Sequence, residues 1–485
     1  MTAGLKPYRT FALLLFHLTP FINSIPIPSA SKIEKPHEND VRFPARWTGD
    51  AHKQTECLVE GTIPDYVNGY FFGQVSASYG DWSNREGEKL THIIDAIGGV
   101  VSYHIHNGQV DFSGAYYPTK PYRIWQYYGM NFTGRSQVSW SSWSDFNRTS
   151  AEQWRLINVP EGVAPWHPNR NFWLIGDRLI AVGHAPLWIG LQFNAQNLSN
   201  FKTVDLNVDE LAALYAARGN NNENAKDETQ ETEFSIHPLL MSSNSIADKS
   251  NGRIWSVCSA VDMRNRQFYL LVFTIDTEKK RKLKGMFALG GWRTETDCTE
   301  DDRFTGDKRN LASYVHSIAA TDRFLVIPLS SLAVNPCKFK APPSIQVIPG
   351  IDRGGVWGLD FYDDLPVRFL VFDMIEAEFL TLAPLEADSP GFVSHVTNAF
   401  HEQFGHLNVD LIKYDHSEQY LDRMYVADWL NRANLTTEKS PGALLGGTAT
   451  RYELKLTLNR ARNAVAETTI VGFVSSLVGR FFCYC

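Results

Sequence analysis

The segment FSIHPLLMSSNSIADKSNGRIWSVCSAV, residues 234–261, places a His-Pro pair ahead of a turn and an apolar run. Two later segments repeat this arrangement: ASYVHSIAATDRFLVIP, residues 312–328, and FVSHVTNAFHEQFGHLNVDLI, residues 392–412. Each places one histidine, His237, His316 or His395, at the boundary of a predicted strand. Neutral imidazoles suit first-row metals such as Fe(II). We therefore predict that the three histidines are metal ligands whose strands converge in space.

The rest of the chain predicts an all-β fold. Short apolar runs follow Gly, Asp, Asn or Arg throughout, and the clearest are RLIAVGH, RIWSVCSAV, QFYLLVFTID, RFLVIPL, RFLVFDM and RMYVADWL. Helical periodicity is rare, and VDELAALYAA, residues 208–217, is the clearest helix candidate. Many short strands without alternating helices indicate one large β domain, and at this length a propeller is the natural architecture.

Composition limits the classes of partner. The 485 residues carry a formal net charge of −7, which does not fit a phosphate-binding surface and excludes nucleic acid as the expected partner. Aromatic residues make up 13% of the chain, which suits pleated strands and apolar ligand pockets. A polar stretch over residues 219–233, GNNNENAKDETQETE, is expected to be a surface insertion.

The N-terminus has the pattern of a signal peptide. Lys6 and Arg9 precede an apolar run over residues 11–22, and small residues follow at 29–31, so we expect a signal peptide over residues 1–30. The chain would then enter the secretory pathway or be extracellular. The alternative is an unstructured arm on a cytoplasmic, membrane-associated protein. Four glycosylation sequons, at Asn131, Asn147, Asn197 and Asn434, favour the secretory route.

Cysteine usage is sparse. The six cysteines are too few for a disulfide scaffold and lack paired zinc spacing, although one or two disulfides are expected in a secreted chain.

Two further histidine pairs are not assigned to the metal site. His401 and His406 in HEQFGH are five residues apart, whereas the zinc-protease motif needs histidines four apart on a helix. His104 and His106 in HIH would share one face of a strand, but the sequence shows no third ligand beside them. We expect ordinary surface or core histidines at all four positions. The sequence also contains no nucleophile elbow, no P-loop, and no dinucleotide fingerprint leading into a helix.

Taken in order, several segments resemble the carotenoid cleavage oxygenase family. EGTIPDYVNGYFFGQ is similar to the family's opening G-x-I-P segment, and THIIDAIGGVVSYHIHNGQVDFSGAYYPTKPY resembles a later stretch in which His92 and Asp95 fall on an H-x-x-D motif. The segments around His237, His316 and His395 are similar to the family's ligand motifs A-H-P, S-x-x-H-D and F-H-x-x-N-A.

This resemblance implies a seven-bladed β-propeller with Fe(2+) on its axis, held by four histidines. His237, His316 and His395 would be three of them, and no catalytic residue beyond the metal ligands is implied. The family uses dioxygen to cleave a polyene double bond of carotenoids or apocarotenoids, and one branch isomerises and hydrolyses retinyl esters. An apolar tunnel would hold the isoprenoid substrate, and an apolar rim would make peripheral contact with a membrane.

The chain departs from the family at several positions. No histidine follows His416 to supply the fourth ligand, and His184 stands where the family has a ligand-orienting glutamate. Ser317 replaces an aspartate, and Ser394 stands before His395 where the family motif has a phenylalanine. The resemblance covers the expected propeller domain, residues 41–458, and residues 459–485 are expected to be a divergent apolar tail. The propeller is therefore expected to be incomplete at its C-terminus.

Two functions follow from this pattern. One is an Fe(II)-dependent oxygenase of retinoid or carotenoid metabolism. The alternative is a catalytically impaired isoprenoid-binding propeller that lacks the fourth ligand.

Overall fold

Nearly all the regular secondary structure in the described part of the chain is β-strand. The computed structural model describes residues 55–78, 96–119, 122, 168, 170–183, 189–205, 236–242, 244–248, 251–262, 264–278, 281–338, 359–381, 383–403, 405–416, 447–456 and 468–471. All of them belong to one compact unit, residues 43–485. None of the helices within the described ranges has the length and hydropathy needed to cross a membrane.

Among the described residues the strands form five antiparallel sheets of four or five strands and one sheet of two strands. In the larger sheets most neighbouring strands are consecutive in the chain. The first sheet has the order β1-β4-β3-β2 and the second the order β5-β6-β7-β8. Their strands are β1 (Thr55–Glu56), β2 (Gly69–Ser78), β3 (Ile97–His106), β4 (Gln109–Tyr116), β5 (Asn171–Ile175), β6 (Arg178–Val182), β7 (Ile189–Asn194) and β8 (Ser199–Asp205).

The third sheet has two short strands beside its central strand. Its strands are β9 (Ile236–Met241), β10 (Ile246–Ala247), β11 (Ile254–Asp262), β12 (Gln267–Ile275) and β13 (Arg281–Gly291). Both β9 and β10 pair with the same edge of β11, so together they act as one interrupted first strand.

The fourth and fifth sheets complete the series, and a small two-stranded sheet, β16 (Leu332–Val334) with β17 (Leu359–Phe361), accompanies them. The fourth sheet contains β14 (Ala319–Ala320), β15 (Phe324–Leu329), β18 (Arg368–Asp373), β19 (Glu378–Phe379) and β20 (Leu385–Glu386). The fifth contains β21 (Phe392–Gln403), β22 (His406–Tyr414), β23 (Thr448–Lys455) and β24 (Thr468–Val471). The helical segments are α1 (Thr294–Asp297) and 3-10 turns at Lys308–Asn310 and Pro336–Lys338.

The five sheets pack face to face in sequence order, and this explains the continuous apolar runs. Every residue of β11 is buried. Ile254, Cys258 and Ala260 face a cluster shared with the second sheet, whereas Trp255 and Val257 face a cluster shared with the fourth. A strand covered on both faces has no polar face, so its sequence loses the alternation of a half-exposed strand.

Most of the strands predicted from the sequence are confirmed. The apolar runs in RLIAVGH, RIWSVCSAV, QFYLLVFTID, RFLVIPL and RFLVFDM form β6, β11, β12, β15 and β18. Several predictions lie outside the described residues: the signal peptide, the insertion 219–233, the helix 208–217, RMYVADWL, His92, Asp95 and His184.

The C-terminal segment 459–485, which was expected to be a divergent tail, contains one described strand. Residues Thr468–Val471 form β24, the fourth strand of the fifth sheet, and Val471 pairs with Arg451 of β23. Strand addition depends on backbone hydrogen bonds that any non-proline residue can make, so it needs no family motif. The fifth sheet therefore reaches past Leu458 in this chain.

We expect Phe369→Ala to destabilise the protein strongly. Phe369 is fully buried between the fourth and fifth sheets, where its ring centre lies 5.0 Å from that of Tyr452. Truncation of such a side chain typically costs about 3–5 kcal/mol of unfolding free energy. Ile375→Ala is the matched control, because Ile375 is 67% exposed and its loss should change stability by less than about 0.5 kcal/mol. Equal effects of the two variants in urea denaturation would contradict this packing.

Candidate metal centre

The three predicted ligands lie in, or shortly before, the first strands of three successive sheets. His237 is the second residue of β9, and His316 lies three residues before β14. His395 is in β21. Each of these strands is the first of its sheet. Successive sheets packed face to face bring their first strands side by side, which is how positions far apart in sequence become neighbours.

Pro238 helps to explain why β9 is an edge strand. Proline has no N–H group and is confined to edge strands and bulges of sheets. Here it lies in a strand at the edge of β11, next to a register shift between Ser259 and Ala260. The first strand of a sheet, here beside a bulge, can therefore accommodate the His-Pro pair.

Hydrogen bonds join the segment after β9 to the His316 segment. The Ser242 hydroxyl donates to the His316 carbonyl at 3.1 Å, and the Asn244 side-chain amide donates to the same oxygen at 3.0 Å. Asn244 also forms a parallel β-bridge with Ser317. These contacts fix the backbone of His316 relative to the strand that carries His237.

A similar bond joins the His316 segment to β21. The backbone N–H of Val396 donates to the Ser317 hydroxyl at 3.2 Å. Ser317, which stands where the family has an aspartate, therefore binds the residue next to His395. Sequence reasoning treated this position only as a departure from the family pattern and missed its structural role.

The rings of His316 and His395 face each other. Their centres are 5.0 Å apart and their planes are nearly perpendicular, at 87°. Two imidazoles that share one ion through metal–nitrogen bonds of about 2.0–2.1 Å place their ring centres roughly 4.5–5 Å apart. The two rings therefore fit a shared first-row metal ion. The backbone of His237 pairs with Val261 of β11.

Tyr314 is a further residue of the site that sequence reasoning missed. Its hydroxyl lies 3.0 Å from Nδ1 of His316, and both residues are buried. When Nδ1–H donates to this hydroxyl oxygen, the lone pair of Nε2 remains available to a metal, as for metal-bound histidines in general. The sequence did offer a signal for this contact, because residues two apart along an extended segment, such as Tyr314 and His316, point to the same side.

His395 combines access to solvent with partial desolvation. The residue is exposed, yet surrounding atoms desolvate its ring enough to lower the pKa. A lowered pKa favours the neutral imidazole, which is the form that binds metals. His395 is therefore suited to a site that a ligand can reach.

The two histidine pairs set aside earlier have different outcomes. His401 and His406 lie in β21 and β22, joined through a turn at Gly405, so they form no zinc-protease helix, as predicted. His104 and His106 share one face of β3 as expected, but Asp111 of β4 lies beside them. The sequence shows no third partner for this pair, and the structure places the carboxylate of Asp111, from the next strand, beside it.

Comparison with solved structures supports the fold. A variant of Synechocystis apocarotenoid oxygenase matches with a TM-score of 0.53 and 16% identity, over 87% of this chain and 70% of that one. Cobalt-substituted Synechocystis apocarotenoid oxygenase matches with a TM-score of 0.51 and 17% identity, over 86% and 70%. A chimera of apocarotenoid oxygenase and RPE65 matches with a TM-score of 0.52 and 16% identity, over 91% and 73%. The all-β propeller fold of these oxygenases is thus confirmed, whereas the number of blades stays a prediction.

Comparison of sequences gives the family. No curated protein matches the chain. The family model described as RPE65, retinal pigment epithelial membrane protein, matches residues 45–473, which extends past Leu458 and includes β24. This match covers most of the 485 residues and all three histidine segments. The chain therefore belongs to the RPE65 family, the carotenoid oxygenases.

Proposed function

We propose that this protein is an Fe(II)-dependent oxygenase that cleaves a double bond of a carotenoid, apocarotenoid or retinoid. The observation that carries the proposal is the pair of His316 and His395, whose ring centres lie 5.0 Å apart, a separation that two imidazoles on one ion would have. His237, on the first strand of the preceding sheet, is the proposed third ligand. Fe(II), when bound, would supply the site for activating dioxygen.

The residues of the chain have distinct tasks in this proposal. Tyr314 holds the ring of His316 in one orientation, and Ser317 ties that segment to the strand of His395. Phe392 places its ring centre 6.5 Å from that of His316 and 6.0 Å from that of Tyr314, so aromatic surface lies close to the two imidazoles. Such surface favours an apolar isoprenoid as the substrate.

One observation favours the alternative, an isoprenoid-binding protein without turnover. The group that binds Nδ1 of His316 is a neutral hydroxyl, whereas a carboxylate would offset part of the charge of a divalent ion. A site built on neutral imidazoles and a neutral partner binds a dication less tightly. The two candidate functions therefore predict different affinities for iron, and iron affinity can be measured without assaying turnover.

Peripheral membrane contact is also part of the proposal. Leu58 is 91% exposed and Tyr66 is 68% exposed, and both precede β2 in the first sheet. Exposed aromatic and aliphatic side chains of this kind can enter the interface of a bilayer, where apolar substrates are stored.

We propose the secretory pathway as the location. The disulfide Cys298–Cys337, between the C-terminal end of α1 and the 3-10 turn at Pro336–Lys338, supports this proposal because disulfides persist in oxidising compartments. Asn197 of the sequon Asn197–Leu198–Ser199 is exposed in the turn between β7 and β8, where a glycan can be attached.

The first prediction concerns iron content. We expect the purified chain to hold about one equivalent of iron and to convert a polyene substrate to carbonyl products, and His316→Ala or His395→Ala to abolish both. Iron is measured by elemental analysis and products by chromatography. His401→Ala is the control, because His401 bonds Thr321 far along β21 from the site. A folded, iron-free chain that still binds retinoid would instead establish the alternative.

The second prediction concerns Tyr314. Tyr314→Phe removes one hydroxyl and should lower the affinity for iron about 10–100-fold, the usual effect of losing an outer partner of a ligand. Titration of the apo-protein with Fe(II) under anaerobic conditions measures it. Tyr66→Phe removes an exposed hydroxyl and should have no effect. Unchanged iron affinity in Tyr314→Phe would show that Tyr314 does not orient His316.

The third prediction concerns the compartment. In cells that produce the protein naturally, we expect Cys298 and Cys337 to be found in one disulfide-linked peptide pair by mass spectrometry, and Asn197 to carry a glycan. Asn197→Gln should then increase electrophoretic mobility by the loss of one glycan. Reduced cysteines together with an unmodified Asn197 would place the protein in a reducing compartment.

A further inference from the structure

The hairpin of β3 and β4 carries a second cluster of metal-ligating side chains, far along the sequence from the histidines of the candidate metal centre. One potential ligand atom from each of His104, His106 and Asp111 lies within 4.8 Å of the others. Within the described part of the chain this is the only group of three or more such residues that meets this distance. We propose that these three residues form a Zn²⁺ site.

The hairpin turn brings the three residues together. β3 and β4 are joined by Asn107 and Gly108, both with positive φ, at 48° and 76°. Asn-Gly is the preferred sequence for such a two-residue turn, because glycine and asparagine tolerate this conformation. The turn fixes the register, in which His104 lies opposite Asp111. All three ligands are therefore supplied by eight residues, 104–111, whose pairing is determined locally.

The side chains already face one another. The rings of His104 and His106 have centres 4.4 Å apart, and Nε2 of His106 lies 2.8 Å from Oδ2 of Asp111. His106 and Asp111 are partly buried, with side chains 26% and 17% exposed. An ion could therefore enter from solvent, and only small side-chain rotations are needed to place three ligand atoms around it.

Packing on the same face of the sheet holds His104 in place. The His104 ring stacks on Tyr70 of β2, with centres 4.2 Å apart and planes within 6°. Tyr70 stacks in turn on Phe72, which contacts Phe172 and Phe193 of the second sheet. This aromatic row extends from the core to the cluster, so the ring that would bind the metal is supported by rigid neighbours.

The set of ligands selects the metal. Two imidazoles and one carboxylate, with a fourth position left to water, are a common zinc shell. Ca²⁺ and Mg²⁺ prefer all-oxygen shells and would not use the histidines. Glu56 of β1 pairs with Asp111 in register and adds a second carboxylate on the same face. The local negative charge therefore also favours a divalent cation.

The test is zinc binding to the full-length chain. In the double variant His316→Ala/His395→Ala, which removes the proposed iron ligands, we expect about one equivalent of Zn²⁺ to bind, measured by calorimetry. X-ray absorption should show two imidazole ligands at about 2.0–2.1 Å. This result does not depend on the iron proposal, because it is measured in a chain without those two histidines.

Ligand variants decide whether the hairpin is the site. Asp111→Asn and His106→Gln, each added to the His316→Ala/His395→Ala chain, should lower zinc affinity at least ~10-fold, since even the loss of an outer partner of a ligand costs that much. His401→Gln is the control for loss of a partly exposed strand histidine. Zinc binding that survives both hairpin variants, or that falls equally in the control, would overturn the proposal, as would a folded chain that binds no zinc.

Discussion

The candidate metal centre depends on the hydrogen bonds that join the first strands of three successive sheets. The His316 carbonyl accepts bonds from Ser242 and Asn244, and the Ser317 hydroxyl accepts one from the N–H of Val396. Each such bond contributes only about 0.5–1.5 kcal/mol to stability, but leaving a buried partner unpaired costs about 1–3 kcal/mol. The strands are therefore held in one relative position, and an imidazole pair with a defined separation can exist.

Those bonds act on a scaffold that hydrophobic packing has already assembled. Four apolar clusters join the five larger sheets in order, each cluster packed between one sheet and the next. A separate cluster that includes Tyr314 and Phe392 lies beneath His316. Because interiors are closely packed and deform little, the positions of the first strands follow from the packing of the whole sheets.

The two metal sites proposed for this protein differ in whether local or non-local structure brings their histidines together. His104, His106 and Asp111 need only a hairpin turn, since eight residues supply every ligand. His316 and His395 need two sheets packed together and 78 intervening residues between them. The first group is preorganised by local backbone preference, and the second by tertiary packing. Imidazole groups are therefore brought together by a hairpin turn in one case and by the packing of two sheets in the other.

Strand propensity and turn residues act locally, so the all-β class and strands such as β11, β12, β15 and β18 were predictable from the sequence. The same local signals identified the segments that carry His237, His316 and His395. Sequence reasoning overlooked Asp111 beside His104, although the Asn107–Gly108 turn that sets their register is a local signal. It also missed Tyr314 as the partner of His316 and the bond of Ser317 to Val396. Only the tertiary structure decided that His316 and His395 face each other, because the distance between their rings is set by how two sheets pack, and no spacing along the chain encodes it.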